Sequence, residues 1–167
     1  MNSEPSPAEF AELRDAYGSM EICEGSSFEW ERLLAEKRTM IRYRLEFAKK
    51  YLDDAIELFN QKRFNSSASR AYYASYQAMW AALGDPRDGE IWRHLAIIKH
   101  FVRGYWFEPI HPETGPGLLE DKRLPLRRLY SYRIKSDYDV VDFDQHNLEE
   151  LLKVVEEVIN IIEEKGR

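Results

Sequence analysis

The sequence predicts an all-α protein, an up-and-down bundle of about five helices with an N-terminal extension. Three observations predict it. Apolar residues recur at three- and four-residue steps in five separate windows, the period of one helix face. Clusters of Gly, Pro and Asn fall between those windows, where they end helices. No window alternates with period two for long; Val140-Val141-Asp142-Phe143 comes nearest and is too short and isolated to build a sheet.

Each element follows in order. Residues 1–38 form an acidic extension: a Pro-containing start, a short amphipathic stretch from Ala8 to Tyr17, then a break at Gly25-Ser26-Ser27. Trp30, Leu33 and Leu34 lie at i, i+3 and i+4, so a helix begins near Phe28 and either runs on past Thr39 or docks beside the next one. The bundle occupies residues 39–167. Its first helix carries Leu45, Ala48, Leu52, Ala55, Ile56 and Phe59, and Asn60-Gln61-Lys62-Arg63 interrupts it. Asn65 or Ser66 is expected to cap the second helix, about Ser67 to Leu83. Its face of Ala68, Ala71, Tyr72, Ser75, Ala78, Met79 and Ala82 is mostly small and lets another helix approach closely. Gly84-Asp85-Pro86 ends it.

The third helix, about Glu90 to Tyr105, presents Ile91, Leu95, Ile98, Val102 and Tyr105. A Pro- and Gly-rich loop from Glu108 to Glu120 follows. Pro125 suits the first turn of the fourth helix, which carries Leu126, Leu129, Tyr130 and Ile134. Asp144 caps the fifth, with a stripe of Leu148, Leu151, Leu152, Val155, Val158, Ile159 and Ile162, and Gly166 stops it.

Composition narrows the function. At 167 residues, 44% apolar and 32% charged, the chain supports one core without metal or disulfide. The lone Cys23 makes no intramolecular bridge and implies a reducing, cytoplasmic setting. The first ten residues lack the basic start and apolar stretch of a signal peptide, and no run approaches a bilayer span. The net charge of −6 is uneven: residues 1–36 hold nine acids and two bases, and the remainder is close to neutral. Overall acidity therefore does not exclude a nucleic-acid partner, which needs only a local basic patch. Lys122 to Lys135 supplies six bases and no acid.

Several chemistries are missing. There is no phosphate-cradling Gly-rich loop, no Cys-x-x-Cys and no His-x-x-x-His. His94 and His100 are six apart and face different ways on one helix; His111 sits in the Pro-rich loop. No metal or cofactor is expected.

The segment Asn65-Ser66-Ser67-Ala68-Ser69-Arg70-Ala71-Tyr72-Tyr73-Ala74-Ser75-Tyr76, the helix opened by His94-Leu95 and the later Arg133-Ile-Lys-Ser-Asp137-Tyr138 together resemble the HEPN family, helical domains named for higher eukaryotes and prokaryotes and for nucleotide binding. The resemblance covers about residues 40–163. It implies a helical bundle, commonly a two-fold homodimer, often paired with a nucleotidyltransferase-type antitoxin. It also implies a metal-independent ribonuclease chemistry in many members, built on an Arg followed by four to six residues and a His. This chain departs from that pattern. Arg133 is present, but residues 134–140 contain no His; Asp137 stands close to the place expected of a His, one residue short of that spacing, and the next His is His146.

That departure bears on chemistry. Metal-free RNA cleavage needs a group that moves protons near neutral pH and a cation for the developing phosphorane charge. His suits the first task, whereas a carboxylate is already deprotonated and repels phosphate. The expected function is a helical binding protein for nucleic acid, nucleotide or a partner protein, without efficient catalysis; the alternative is an endoribonuclease toxin acting at a dimer cleft. A third reading is an interaction module whose acidic N-terminal segment docks or masks. The catalytic candidates are Arg133, Asp137 and His94, with His146 as a spatial substitute. The binding candidates are Arg70, Tyr73, Arg127, Arg128 and Tyr138. Each has a plainer role open to it: an i, i+4 ion pair for Arg133 and Asp137, helix anchoring for Arg70, packing for Tyr73 and a cap for His94.

Overall fold

The computed structural model describes residues 27–86, 91–107, 116–138 and 144–165, and every regular element among them is helical. These are α1 (Ser27–Asn60), α2 (Phe64–Leu83), α3 (His94–Arg103), a 3-10 turn (Glu120–Lys122), α4 (Arg123–Tyr138) and α5 (Gln145–Lys165). The described residues form the expected all-α bundle, with five α-helices among them. Residues 1–26, with Cys23 and the Ala8–Tyr17 stretch, lie outside the described residues, as do His111 and Val140 to Phe143. So do the side chains of Trp30, Leu33, Leu34 and Tyr138.

α1 runs unbroken through Thr39 for 34 residues, about 51 Å at the usual helical rise. Leu45, Ala48, Leu52 and Ala55 of its expected stripe are buried and Phe59 packs beside them, but Ile56 is exposed. Ile56 lies only one residue from Ala55, about 100° away around the helix, and so misses the face that meets α2.

α2 is the central helix and touches all four others. Its sequence explains why: Ala68, Ala71, Ala74, Ala78 and Ala81 are all buried and let neighbouring backbones come close, while Tyr72 and Met79 fill the remaining volume. Its two buried serines are satisfied locally. Ser67 Oγ donates to the Ala55 carbonyl at 2.7 Å, across to α1, and Ser75 Oγ donates to the Tyr72 carbonyl at 2.7 Å.

The start of α2 differs from the expected one. The helix begins at Phe64, Arg63 holds the cap position, and no side chain caps it; Asn65 and Ser66 are already inside the first turn. Entry is set instead by packing across the turn, where the Phe59 and Phe64 rings lie 5.4 Å apart. The chain reverses with Lys62 at φ 60. Gly84 ends α2 at φ 73, a conformation that costs glycine nothing sterically.

α3 is shorter than its sequence pattern. Trp92 and Arg93 precede it, held by Tyr76 Oη donating to the Trp92 carbonyl at 2.6 Å and Trp92 Nε1 donating to the Gly84 carbonyl at 2.8 Å. Ile97, Ile98, Phe101 and Val102 form its buried face, whereas Ile91, Leu95 and Tyr105 are exposed. The buried stripe is thus rotated from the expected one and includes the adjacent pairs, as suits a short helix pressed into a bundle from one side. Gly104, at φ 81, terminates it.

The segment after the loop returns tightly to α3: the Leu119 amide donates to the Val102 carbonyl at 2.9 Å. A Cβ on Gly117 would stand 2.2 Å from that same carbonyl oxygen, so only glycine permits this approach. Pro125 occupies the first turn of α4, and Leu126 and Leu129 are buried while Ile134 is exposed. Asp144 caps α5 as expected, with its Oδ1 accepting from the His146 amide at 3.0 Å. Every residue of the α5 stripe is buried. No described helix is long and apolar enough to cross a membrane.

Candidate functional site

Where α2 meets α4, Arg133 is fixed between the two helices. Its Nη2 donates to Tyr73 Oη at 3.1 Å, and its guanidinium lies 5.6 Å from the Tyr73 ring centroid. One turn on, Asp137 Oδ2 approaches Nε at 3.2 Å, with the Arg133 and Asp137 side chains 20% and 38% exposed. The approach is off the line of a hydrogen bond, so Nε stays buried without one. Burial pulls the Arg133 pKa down, but the Tyr73 hydroxyl and the Asp137 carboxylate outweigh it and hold the guanidinium above its usual value. The ion pair open from sequence therefore exists, and it is half-sheltered rather than solvated.

His94, the first residue of α3, joins the same aromatic cluster. Its Nδ1 lies 2.5 Å from Tyr72 Oη, and its ring stacks on Tyr130 with centroids 5.2 Å apart at 25°. Burial, and then the nearby Arg133 charge, depress the His94 pKa below its ordinary value, so the imidazole is neutral at pH 7. Tyr72 is fully buried, and that burial, with the neighbouring Tyr76 and Tyr130, pushes its pKa far above the usual range. Its hydroxyl keeps its proton. Nε2 of His94 has no partner among the described residues and is not sealed from solvent. Tyr76 and Trp80 pack edge to face beyond it.

A groove of about 780 Å³ opens on one side of this contact, between the end of α1, the start of α2 and the end of α4. Arg70, Tyr73, Ser136 and Asp137 line it, with Asp54, Glu57 and Arg63 among the other charged residues. Arg70 is exposed, with its guanidinium 5.3 Å from the Tyr51 ring, and Tyr51 in turn lies 6.2 Å from Tyr73. The groove thus offers cations, hydroxyls and aromatic faces together with carboxylates, a lining for a polar ligand.

The structure lines the groove with Asp137, Tyr73 and Arg70, holds Arg133 against Tyr73 and Asp137, and sets His94 against Tyr72 and Tyr130. It leaves others out. Arg127 and Arg128 are exposed on the outer side of α4 and line no part of the groove. The six-base run is divided further, since Lys122 is paired with Glu157 at 2.6 Å and Arg123 with Glu120. His146 lies 3.4 Å from Glu150 in the first turn of α5 and does not enter the cluster. Tyr51 and the Tyr72–His94 contact are missed by sequence reasoning. Tyr72 and His94 come from different helices 22 residues apart, and no spacing rule relates such positions. Among the described residues, no group of three or more His, Cys, Asp or Glu could hold a metal ion.

An all-helical domain with one arginine locked to a tyrosine-rich central helix is the class that this fold and site define. The family model for the HEPN domain matches residues 41–165, and the chain belongs to that family. A UPF0332 protein of Thermotoga maritima is 26% identical over 129 residues, which cover 77% of this chain and 92% of that protein. No solved structure matches the chain.

Proposed function

We propose that the chain is a HEPN-type binding protein that holds a phosphate-bearing ligand, nucleic acid or nucleotide, beside Arg133 and turns it over poorly. The observation that carries this reading is the Arg133 side chain, held by Tyr73 and ion-paired with Asp137, two residues that line the polar groove. A pre-positioned guanidinium binds phosphate with little ordering cost. The adjacent carboxylate places an unfavourable charge beside a phosphorane, so binding is retained and catalysis is weak. Homodimerisation and pairing with a nucleotidyltransferase-type antitoxin belong to the same reading, as does a cytoplasmic setting.

The test is a mixed RNA pool incubated with the full chain in excess EDTA, with binding recorded on the same samples at low and high salt. Salt-sensitive binding that Arg133→Ala abolishes, without cleavage above background, is the expected result. Arg133-dependent cleavage overturns it.

A second reading, a metal-independent endoribonuclease, is favoured by one observation: His94 is neutral, oriented by Tyr72 and Tyr130, and within the influence of Arg133. In that chemistry the imidazole accepts the proton of a ribose 2′-hydroxyl as its oxygen attacks phosphorus, Arg133 stabilises the phosphorane, and the imidazolium returns the proton to the 5′-oxygen as its bond to phosphorus breaks, leaving a 2′,3′-cyclic phosphate. Loss of cleavage in both His94→Ala and Arg133→Ala, with RNA binding kept in His94→Ala, is the result that would establish it.

A further inference from the structure

Among the described residues, an apolar stripe in the middle of α1 is left uncovered. Met40, Tyr43 and Phe47 recur at i, i+3 and i+7 and are 51%, 59% and 44% exposed. Tyr43 and Phe47 rest on each other with ring centroids 5.5 Å apart, and Lys50 Nζ lies 5.7 Å from the Phe47 ring. Three large side chains in one row on a solvent-facing helix are unusual unless something covers them.

Charge singles out the same stretch. Residues 37–50 hold six bases and one acid, a net of +5, whereas residues 51–167 are net negative. The complement lies at the other end of the sequence. Residues 1–26 hold six acids and one base, a net of −5. Within them Phe10, Leu13 and Tyr17 recur at i, i+3 and i+7, interleaved with Glu9, Glu12 and Asp15. Laid antiparallel, the two rows match in length, with Tyr17 opposite Met40, Phe10 opposite Phe47 and Leu13 within one residue of Tyr43.

Tether length permits this pairing. From Ser27 to Met40 α1 rises about 20 Å, and the nine residues 18–26 span up to about 30 Å when extended. We propose that residues 8–17 dock as an acidic amphipathic helix on the Met40–Tyr43–Phe47 stripe of the same chain, giving the bundle a sixth helix in cis. Apolar burial supplies the attraction, and the opposite charges set the register and the preference for this face. Being tethered, the segment needs no high affinity to stay bound, and it shields a face that would otherwise recruit other chains.

The experiment uses the full chain in a Cys23→Ser background with Glu9→Cys and Lys50→Cys, treated with a short flexible bis-maleimide. The control pair is Glu9→Cys with Glu156→Cys on the exposed side of α5. Intramolecular cross-linking of the first pair at least about tenfold faster than the control, the advantage expected of a docked over a freely diffusing tether, is the predicted result. Adding Tyr43→Glu, an exposed position whose change leaves the helical melt intact, is predicted to remove that advantage, and raising the salt to weaken it. Equal rates for the two pairs overturn the proposal. Cross-links that form only between chains and grow with protein concentration also overturn it, assigning the stripe to a second copy.

Discussion

Tyr73 and Arg133, 60 residues apart in sequence, meet through a 3.1 Å hydrogen bond from the guanidinium to the phenol oxygen. The bond ties the central helix to α4 and fixes the direction of the half-sheltered Arg133 guanidinium beside the groove residues Tyr73 and Asp137. Tyr73→Phe keeps the ring and removes the acceptor, so the helix packing survives while the guanidinium loses its orientation. A hydrogen bond to a charged group in a half-exposed setting is worth about 1 kcal/mol. Ligand binding is therefore predicted to weaken roughly fivefold, measured by titration of labelled RNA, with little change in the thermal melt. A loss as large as that of Arg133→Ala would show that Tyr73 itself contacts the ligand.

Gly117→Ala tests the closure of the loop onto α3. The added Cβ would meet the Val102 carbonyl oxygen at 2.2 Å and neighbouring backbone atoms under 3 Å. Backbone cannot yield as a flexible side chain can, so the Leu119–Val102 hydrogen bond at 2.9 Å must break or shift. A destabilisation of about 2–3 kcal/mol is expected, read as a lower denaturant midpoint. An unchanged midpoint would mean that this return is not part of the cooperative unit.

His94 predicts the acid side of the stability curve. Its folded pKa is depressed by burial and by Arg133, so the unfolded chain binds more protons as pH falls below the ordinary imidazole value near 6.5. Stability from this residue is complete above that value and is lost as the pH falls through the lower folded pKa. His94→Gln is predicted to flatten the dependence below about pH 6.5, as followed by chemical denaturation across the acid range. If the wild type and the variant have parallel curves, the imidazole is not desolvated.

The sequence carries most of the bundle and only part of the site, for physical reasons that particular residues expose. The α5 stripe from Leu148 to Ile162 is legible because a long helix covered from one side obeys its period throughout. α3 is not, because ten residues give the periodicity little to average over, and the buried face includes adjacent pairs such as Ile97 and Ile98. Arg133 and Asp137 are legible as a pair because one helix sets their spacing. Nothing local tells that Arg127 and Arg128 face outward while Arg133 faces α2, since that follows from which side of α4 the core takes. His94 is legible as a residue of interest, but its partner Tyr72 is legible only in three dimensions.

The missing imidazole can be supplied one turn from Arg133. Asp137 sits one turn from Arg133 with its carboxylate against the guanidinium, so Asp137→His places an imidazole beside the same cation and lining the same groove. The substitution removes a charge that repels phosphate and supplies a group that exchanges protons near neutral pH. General acid–base groups contribute about 10²- to 10⁴-fold, so even imperfect placement is expected to yield EDTA-insensitive RNA cleavage at least about tenfold above the wild-type chain. That activity must vanish in the Arg133→Ala, Asp137→His double variant, because without the guanidinium nothing offsets the phosphorane charge. If Asp137→His binds RNA as the wild type does and still cleaves nothing, the ligand lies in the groove in a pose remote from the position 137 side chain, and Asp137 is there to hold Arg133 rather than in place of a catalytic imidazole.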